Sequence, residues 1–326
     1  MLFIVVGLGS MGKRRIRLLK QVDETITIIG IDSNSERVVQ VSSEVHIMVE
    51  TSIDAAFEKY GSEVKAAFVC TSPLSHRNVI TELLKRGVSV FTEINLVSDG
   101  YDELLQMKSN KQVLFLSSTF LYRKDIQHII EKVKNEKVNY IYHTGQYLPD
   151  WHPWESYKNF FVNDKRTNGC REIMAIEMPW IIKCFGKVVN YMILRDKLSS
   201  MDLDYNDNYM ILLEHENGSK GMLAVDVVSR KARRNLEIFN ENMHVFWNGT
   251  PDSLYDYDIE EKCERAIKTY VCVDRDKNYC DNIIENAYMD EILAFLSAIN
   301  CGDESKIQYT INEDKSVLDL LDEMNI

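Results

Sequence analysis

The stretch FIVVGLGSMGKRR near the start of the chain constrains its fold more tightly than any other segment. An apolar run ends in Gly7, Gly9 and Gly12, a GxGxxG array that opens directly into a helical pattern. Each glycine answers a separate need of a strand-turn-helix unit that holds a dinucleotide. Gly7 permits the tight turn, Gly9 lets backbone approach a pyrophosphate, and Gly12 lets the helix pack closely on the strand. Leu8, Ser10 and Met11 complete that turn, and N–H groups at the helix start face the anion. Asp32 stands about twenty residues beyond the array, at the end of the next strand pattern, where a carboxylate accepts from both ribose hydroxyls. It would repel a 2′-phosphate, so NAD is expected over NADP; Ser33 and Arg37 beside it soften that preference.

The remainder of the first third repeats the theme. Short β-branched runs (2–6, 25–31, 46–49, 64–70, 88–92 and 112–116) alternate with patterns of helical period, as in a parallel sheet with crossover helices. The clearest helix, 76–86, carries Val79, Ile80, Leu83 and Leu84 on one face and ends at Gly87. Beyond Phe120 the grain changes. A helix bearing Ile126, Ile129, Ile130 and Val133 leads into strand-like runs at 138–147, 188–194, 209–214, 221–229, 236–239 and 243–247, joined by short polar turns such as HENGSKG. A late helix is expected over 283–299. The expected fold class is therefore α/β, with a Rossmann dinucleotide-binding domain over 1–121 and an α+β domain over 122–326 built on a large, mostly antiparallel open sheet.

Composition narrows the function classes. A chain of 326 residues with 45% hydrophobic and 27% charged residues suits a folded protein of two domains. Its net charge of -12 opposes an extended phosphate backbone, so no nucleic-acid partner is expected. Seven cysteines without paired spacing read as reduced thiols, pointing to a cytoplasmic protein, and no metal site is expected. The apolar start is broken by glycine long before it could span a membrane, and no membrane partner is expected.

Taken in order, GLGSMGKRR, TSPLSHRNVITELLKRG and VSVFTEINL resemble the Gfo/Idh/MocA family, named for glucose-fructose oxidoreductase and inositol dehydrogenase. The resemblance implies nicotinamide chemistry on a sugar, nucleotide sugar or cyclitol. It also implies an open C-terminal sheet whose outer face forms the interface of a homodimer or homotetramer. Thr71, Ser72, Pro73 and His76 would lie along the cofactor, with Glu93 near the nicotinamide ribose. From the residues alone, His76 serves equally as an ordinary helix residue.

The chain also departs from the family pattern. Where members carry Glu-Lys-Pro, it has Glu93, Ile94 and Asn95, so the lysine that assists proton transfer is an isoleucine. In TNGCREIMAIEMPW, Glu172 takes what looks like the family's aspartate position, and the expected histidine falls at Ala175 or Ile176. Hydride loss from a carbinol needs a partner for the hydroxyl proton. Glu172 and His152 are the candidate replacements, the latter in the aromatic stretch YLPDWHPWESYKNFF. Asn95, Trp154, Tyr157, Lys158 and Glu177 are the candidate substrate contacts. Glu172 and Glu177 lie about 140° apart on a helix, so at most one faces a pocket. Pro179 is expected to interrupt that helix and free the carbonyl of Ala175.

The expected function is an NAD(P)-dependent oxidoreductase. Two alternatives remain open at this point: a nicotinamide-bound enzyme that eliminates or cleaves a glycosidic bond without net redox change, and a cofactor-binding sensor or scaffold without turnover.

Overall fold

The computed structural model describes residues 1–152, 155–276 and 283–326. They form two units, one of residues 1–118 and 288–316, the other of residues 119–287 and 317–326.

The first unit is a doubly wound parallel sheet. Its strands are β1 (Leu2–Val6), β2 (Thr27–Ile31), β3 (Met48–Glu50), β4 (Val64–Val69), β5 (Ser89–Thr92) and β6 (Leu114–Leu116). They lie in the order β3-β2-β1-β4-β5-β6, with every pairing parallel. The connecting helices are α1 (Ser10–Val22), α2 (Ser35–Val45), α3 (Ile53–Tyr60), α4 (Pro73–Lys85) and α5 (Tyr101–Met107). Strand order reverses between β1 and β4, and ligands of such sheets bind at the carboxyl ends of the strands flanking this switch point. The Gly-rich turn after β1 and the Thr-Ser-Pro turn after β4 both lie there.

Phe68, Phe91 and Phe115 occupy three neighbouring strands and stack at centroid spacings of 5.0 and 4.8 Å. Phe295 meets all three edge-on at 5.5 to 5.8 Å, and the four rings are fully buried. This cluster explains why residues 288–316 belong to the first unit although they follow the whole second sheet in sequence.

The second unit holds α6 (Lys124–Val133) and α7 (Gly169–Phe185) and eight strands. These are β7 (Asn139–Gly145), β8 (Val188–Asp196), β9 (Asn208–His215), β10 (Lys220–Asp226), β11 (Arg233–Asn240), β12 (Met243–Trp247), β13 (Leu254–Asp258) and β14 (Cys263–Ala266). The order is β14-β13-β12-β11-β7-β10-β9-β8, antiparallel throughout except for the β7–β10 pair. Two further helices follow, α8 (Glu285–Cys301) and α9 (Ile311–Glu323), each of which runs across the division of the chain into units.

One face of the second sheet buries Tyr140, Tyr142, Ile211, Leu213, Leu223 and Val225. The other carries exposed apolar side chains in register: Ile141 opposite Met222, Met222 opposite Leu212, and Leu212 opposite Met192. Met210 and Leu194 pair one row away and are also exposed. Helix α7 runs without interruption through Pro179, and Ala175 is buried, so the expected break does not form. All six cysteines among the described residues are free; Cys280 lies outside them.

Removing the ring that joins the late helix to the first sheet should loosen the whole unit. Phe295→Ala is expected to cost about 3–5 kcal/mol in denaturant unfolding, the usual range for a buried aromatic cut to alanine.

Candidate cofactor site and catalytic groups

At the end of β1, Gly7 adopts φ +93°, and a Cβ there would lie 2.5 Å from the carbonyl oxygen of Cys70. A Cβ on Gly12 would fall 2.0 Å from the carbonyl oxygen of Gly7. Both glycines are thus demanded by the protein itself. Gly9 differs, because a Cβ there would meet nothing within 4 Å and the space above it is open. It is the N-cap of α1, with no side chain capping the helix and no acidic residue in the first turn. That leaves N–H groups and the positive end of the helix dipole for an anion.

Asp32 fastens this turn to the end of β2. Its Oδ2 accepts from the Leu8 N–H at 2.7 Å and its Oδ1 from the Asn34 N–H at 2.8 Å. Arg37 Nη1 stands 3.3 Å from Oδ2. Oδ1 keeps a further lone pair, so a ribose hydroxyl can still be accepted there. Ser33 is exposed beside it, and Ser10 and Met11 are partly exposed. The open Gly9, the uncapped helix start and the fastened acceptor together fit a dinucleotide.

After β4, Ser72 caps α4 and Pro73 opens it. The Ser75 hydroxyl donates to Thr71 Oγ1 at 2.9 Å, and His76 Nε2 lies 2.9 Å from the Thr71 carbonyl oxygen. His76 is buried, with Nδ1 at 2.5 Å from Asn95 Oδ1. Asn95 Nδ2 lies 2.7 Å from the Tyr101 hydroxyl, which contacts the Asp314 carboxyl. Burial pushes the His76 pKa down, opposed by the contacts to Asn95 and Thr71 and by the charge of Glu93. His76, Asn95 and Tyr101 border a cavity of about 170 Å³, also lined by Pro73, Arg77 and Asp99. Asn95 thus spends its amide inside the unit.

Glu93 is held from behind. Arg15 Nε donates to its Oε1 at 2.6 Å and Arg15 Nη2 to its Oε2 at 3.1 Å. The same Nη2 donates to Glu291 Oε2 at 2.8 Å, and Nη1 to the Tyr288 carbonyl oxygen at 3.2 Å. Ser117 Oγ and the Ser118 N–H donate to Glu291 as well. Burial alone would lower the Arg15 pKa, but Glu93 and Glu291 outweigh it and keep the guanidinium charged. A basic group therefore does stand beside this carboxylate, supplied by α1. It is fully buried and permanently protonated, so it fixes Glu93 and cannot exchange a proton. Sequence reasoning overlooked it, although Arg15 lies three residues after Gly12 and four before Leu19, on the buried stripe of α1. Ile94 is partly exposed.

In the second unit, Asn168 caps α7 by accepting from the Arg171 N–H, which places Glu172 in the first turn. The residue keeps some exposure, yet its Oε2 is sealed from solvent and has no hydrogen-bond partner. Burial pushes its pKa up to about 8. Ile176, one turn on, is partly exposed like Glu172, whereas Ala175 is buried.

Glu177 points the other way and is fully buried. It accepts from Tyr142 at 2.8 Å, Trp180 Nε1 at 2.7 Å, Arg234 Nε at 2.8 Å and Thr144 at 3.4 Å. These donors occupy its lone pairs, tying α7 to β7 and β11. Within the aromatic stretch, Leu148–Asp150, Tyr157–Asn159 and Phe161–Asn163 are 3₁₀ turns. There His152 is half-buried with its ring 4.5 Å from that of Phe160, and burial lowers its pKa against the opposing charge of Glu155. Tyr157 and Lys158 both bind Asp202, at 3.2 Å to its N–H and 2.6 Å to its carboxylate. Trp154 lies outside the described residues.

Residues 1–117 match the Gfo/Idh/MocA family model, described as an oxidoreductase family with an NAD-binding Rossmann fold. The match is confined to the N-terminal Rossmann domain. No curated protein matches the chain by sequence. Among solved structures, UDP-N-acetylglucosamine 3-dehydrogenase GnnA from Acidithiobacillus ferrooxidans is 16% identical, with a TM-score of 0.75 over 100% of this chain and 96% of that one. An oxidoreductase from Agrobacterium radiobacter, in complex with NAD+, L-tartaric acid and magnesium, is 12% identical, with a TM-score of 0.79 over 99% and 94%. GenD2 from gentamicin A biosynthesis, in complex with NAD, is 16% identical, with a TM-score of 0.75 over 99% and 92%. At these identities the likeness is one of fold, and it extends over both units.

The sealed carboxyl of Glu172 carries a pH signature. Its pKa is raised on folding, so its contribution to stability is fully present below the unfolded value of 4.5 and declines until pH reaches about 8. Glu172→Gln should remove that decline and be at least as stable as the parent at pH 8, as read from urea midpoints across the range.

Proposed function

We propose that this chain is an NAD-dependent oxidoreductase that moves a hydride between nicotinamide and a carbinol carbon of a sugar, nucleotide sugar or cyclitol. The observation that carries the reading is the turn of Gly7, Gly9 and Gly12, fastened by Asp32 and open above Gly9, in a domain of an oxidoreductase family. The sugar-type substrate draws support from the dehydrogenase of similar fold that acts on a UDP-sugar. Bound NAD would supply the hydride acceptor. Gly9 and the start of α1 would hold its pyrophosphate and Asp32 its adenosine ribose, with Thr71, Ser72, Pro73, His76 and Glu93 as further contacts. The direct Asp32 acceptor favours NAD over NADP.

With Ile94 and Ile176 unable to exchange protons, Glu172 is our choice for the proton. A carboxyl with a pKa near 8 and an unused oxygen is poised to take or give one near neutrality. His152 is the second choice, being half-buried and less perturbed. Purified protein incubated with NAD and a panel of nucleotide sugars and polyols should form NADH, and Glu172→Gln should lower kcat by about 10²–10⁴ with little change in NAD affinity. Tight NAD binding with no NADH across the panel would instead favour the sensor reading, which draws its support from the two isoleucines. Exchange of substrate hydrogen with solvent, without net NADH, would favour the closed redox cycle.

The exposed apolar rows of the second sheet fit a second copy of the chain. A protein of net charge -12 repels itself except through an uncharged surface, and a two-fold axis would set each row against its equivalent. Light scattering after size exclusion should give a dimer or tetramer, and the double substitution Met192→Lys, Leu212→Lys should shift it toward monomer; an unchanged mass would reject this face. Among the described residues, no helix is long and apolar enough to cross a membrane.

A further inference from the structure

The buried chain His76–Asn95–Tyr101–Asp314 lies entirely within the first unit, and its hydrogen bonds run end to end. Thr71 offers His76 Nε2 a carbonyl oxygen at 2.9 Å, so Nε2 must carry a hydrogen. The state of Nδ1 then depends on which end of the Asn95 amide faces it, and the hydrogen-bond network decides that.

If Asp314 is ionised, Tyr101 donates its only hydrogen to Asp314 and Asn95 Nδ2 donates to the Tyr101 oxygen. Asn95 Oδ1 then accepts from Nδ1, and His76 is an imidazolium. If Asp314 carries a proton on Oδ2, the oxygen facing Tyr101, every donor reverses. Asp314 donates to Tyr101, Tyr101 to Asn95 Oδ1, the turned amide to Nδ1, and His76 is neutral. Both arrangements hold the same number of protons. For a given state of Oδ2, intermediate assignments leave two acceptors, or two donors, facing each other across a buried contact, which is costly.

We propose that Asn95, in the place of the family's proline, and Tyr101 couple His76 to Asp314, so that the charge of the imidazole beside the Thr71 turn is set from helix α9. This rests on the reading of Thr71 to His76 as part of the cofactor wall. Asn95 and Tyr101 act as positioning residues, and a proline at 95 has no side-chain group with which to make the link. Other groups also face the chain. His76 meets the Thr92 hydroxyl at 3.4 Å and feels the charge of Glu93. Asp314 accepts from Tyr309 at 3.1 Å and lies in the first turn of α9, whose dipole favours its ionised form. Arg77 and Asp99 line the adjoining cavity, and the neighbouring Lys315 is paired with Asp102.

The test is nuclear magnetic resonance of the full chain with ¹⁵N-histidine and ¹³C-aspartate labels, without cofactor, so it succeeds or fails independently of NAD binding. In the parent protein, the His76 ring and the Asp314 carboxyl should titrate with common midpoints, as one coupled pair. Asp314→Asn should lower the His76 midpoint by about one pH unit, a tenfold loss of proton affinity. In a Tyr101→Phe background the same substitution should have a much smaller effect. Separate midpoints in the parent would overturn the proposal even if no variant folds. So would an unchanged His76 in Asp314→Asn, or an equal shift with and without the Tyr101 hydroxyl, since the latter would mean that a field through space suffices.

Discussion

The first unit depends on one guanidinium. Arg15 is fully buried, bridges two carboxylates that are buried with it, and thereby joins α1, the end of β5, the end of β6 and α8. Two carboxylates on one cation would leave a buried negative charge if both ionised, and burial accordingly raises the Glu291 pKa. Removing one partner of such a group costs about 3–5 kcal/mol, because what remains is an uncompensated charge rather than a missing contact. The same clamp determines how Glu93 can serve a cofactor, as a rigid acceptor whose charge is already balanced.

The second unit solves a similar problem around Glu177, with neutral and cationic donors converging on one carboxylate. The contrast with Glu172, five residues away on the same helix, is instructive. Identical side chains, on faces about 140° apart, become a satisfied strut and an unsatisfied acid. Environment rather than residue type assigns the roles.

Much of this was legible in the sequence. The strand ends, the glycine turn, Asp32 and the change from parallel to antiparallel sheet follow from local patterns with fixed periods. The strands β13 and β14 were not anticipated because LYDYD, apart from the buried Leu254, is only partly buried and CERA, at the sheet edge, is exposed throughout, so neither shows an alternating apolar face. Helix α9 was missed among acidic residues. The partners of Arg15 and Asn95 could not be read at all, since Glu291 lies 276 residues from Arg15 and Asp314 lies 213 from Tyr101. Pro179 was expected to break α7, but the surrounding packing tolerates it, with Trp180 and Ile181 fully buried beyond it. Tertiary context decides such cases, and single-chain periodicity does not contain it.

Within the glycine turn, the three glycines answer to different masters. At Gly7 and Gly12 a methyl group would strike the protein's own backbone, so variation there is judged by whether the chain folds. At Gly9, with φ -70° and open space, a methyl group offends nothing in the polypeptide. Only an incoming ligand could object to it. Inherited variation at Gly9 therefore reports on occupancy alone, and lineages that have ceased to use the dinucleotide would be free to drift at that position while keeping its two neighbours.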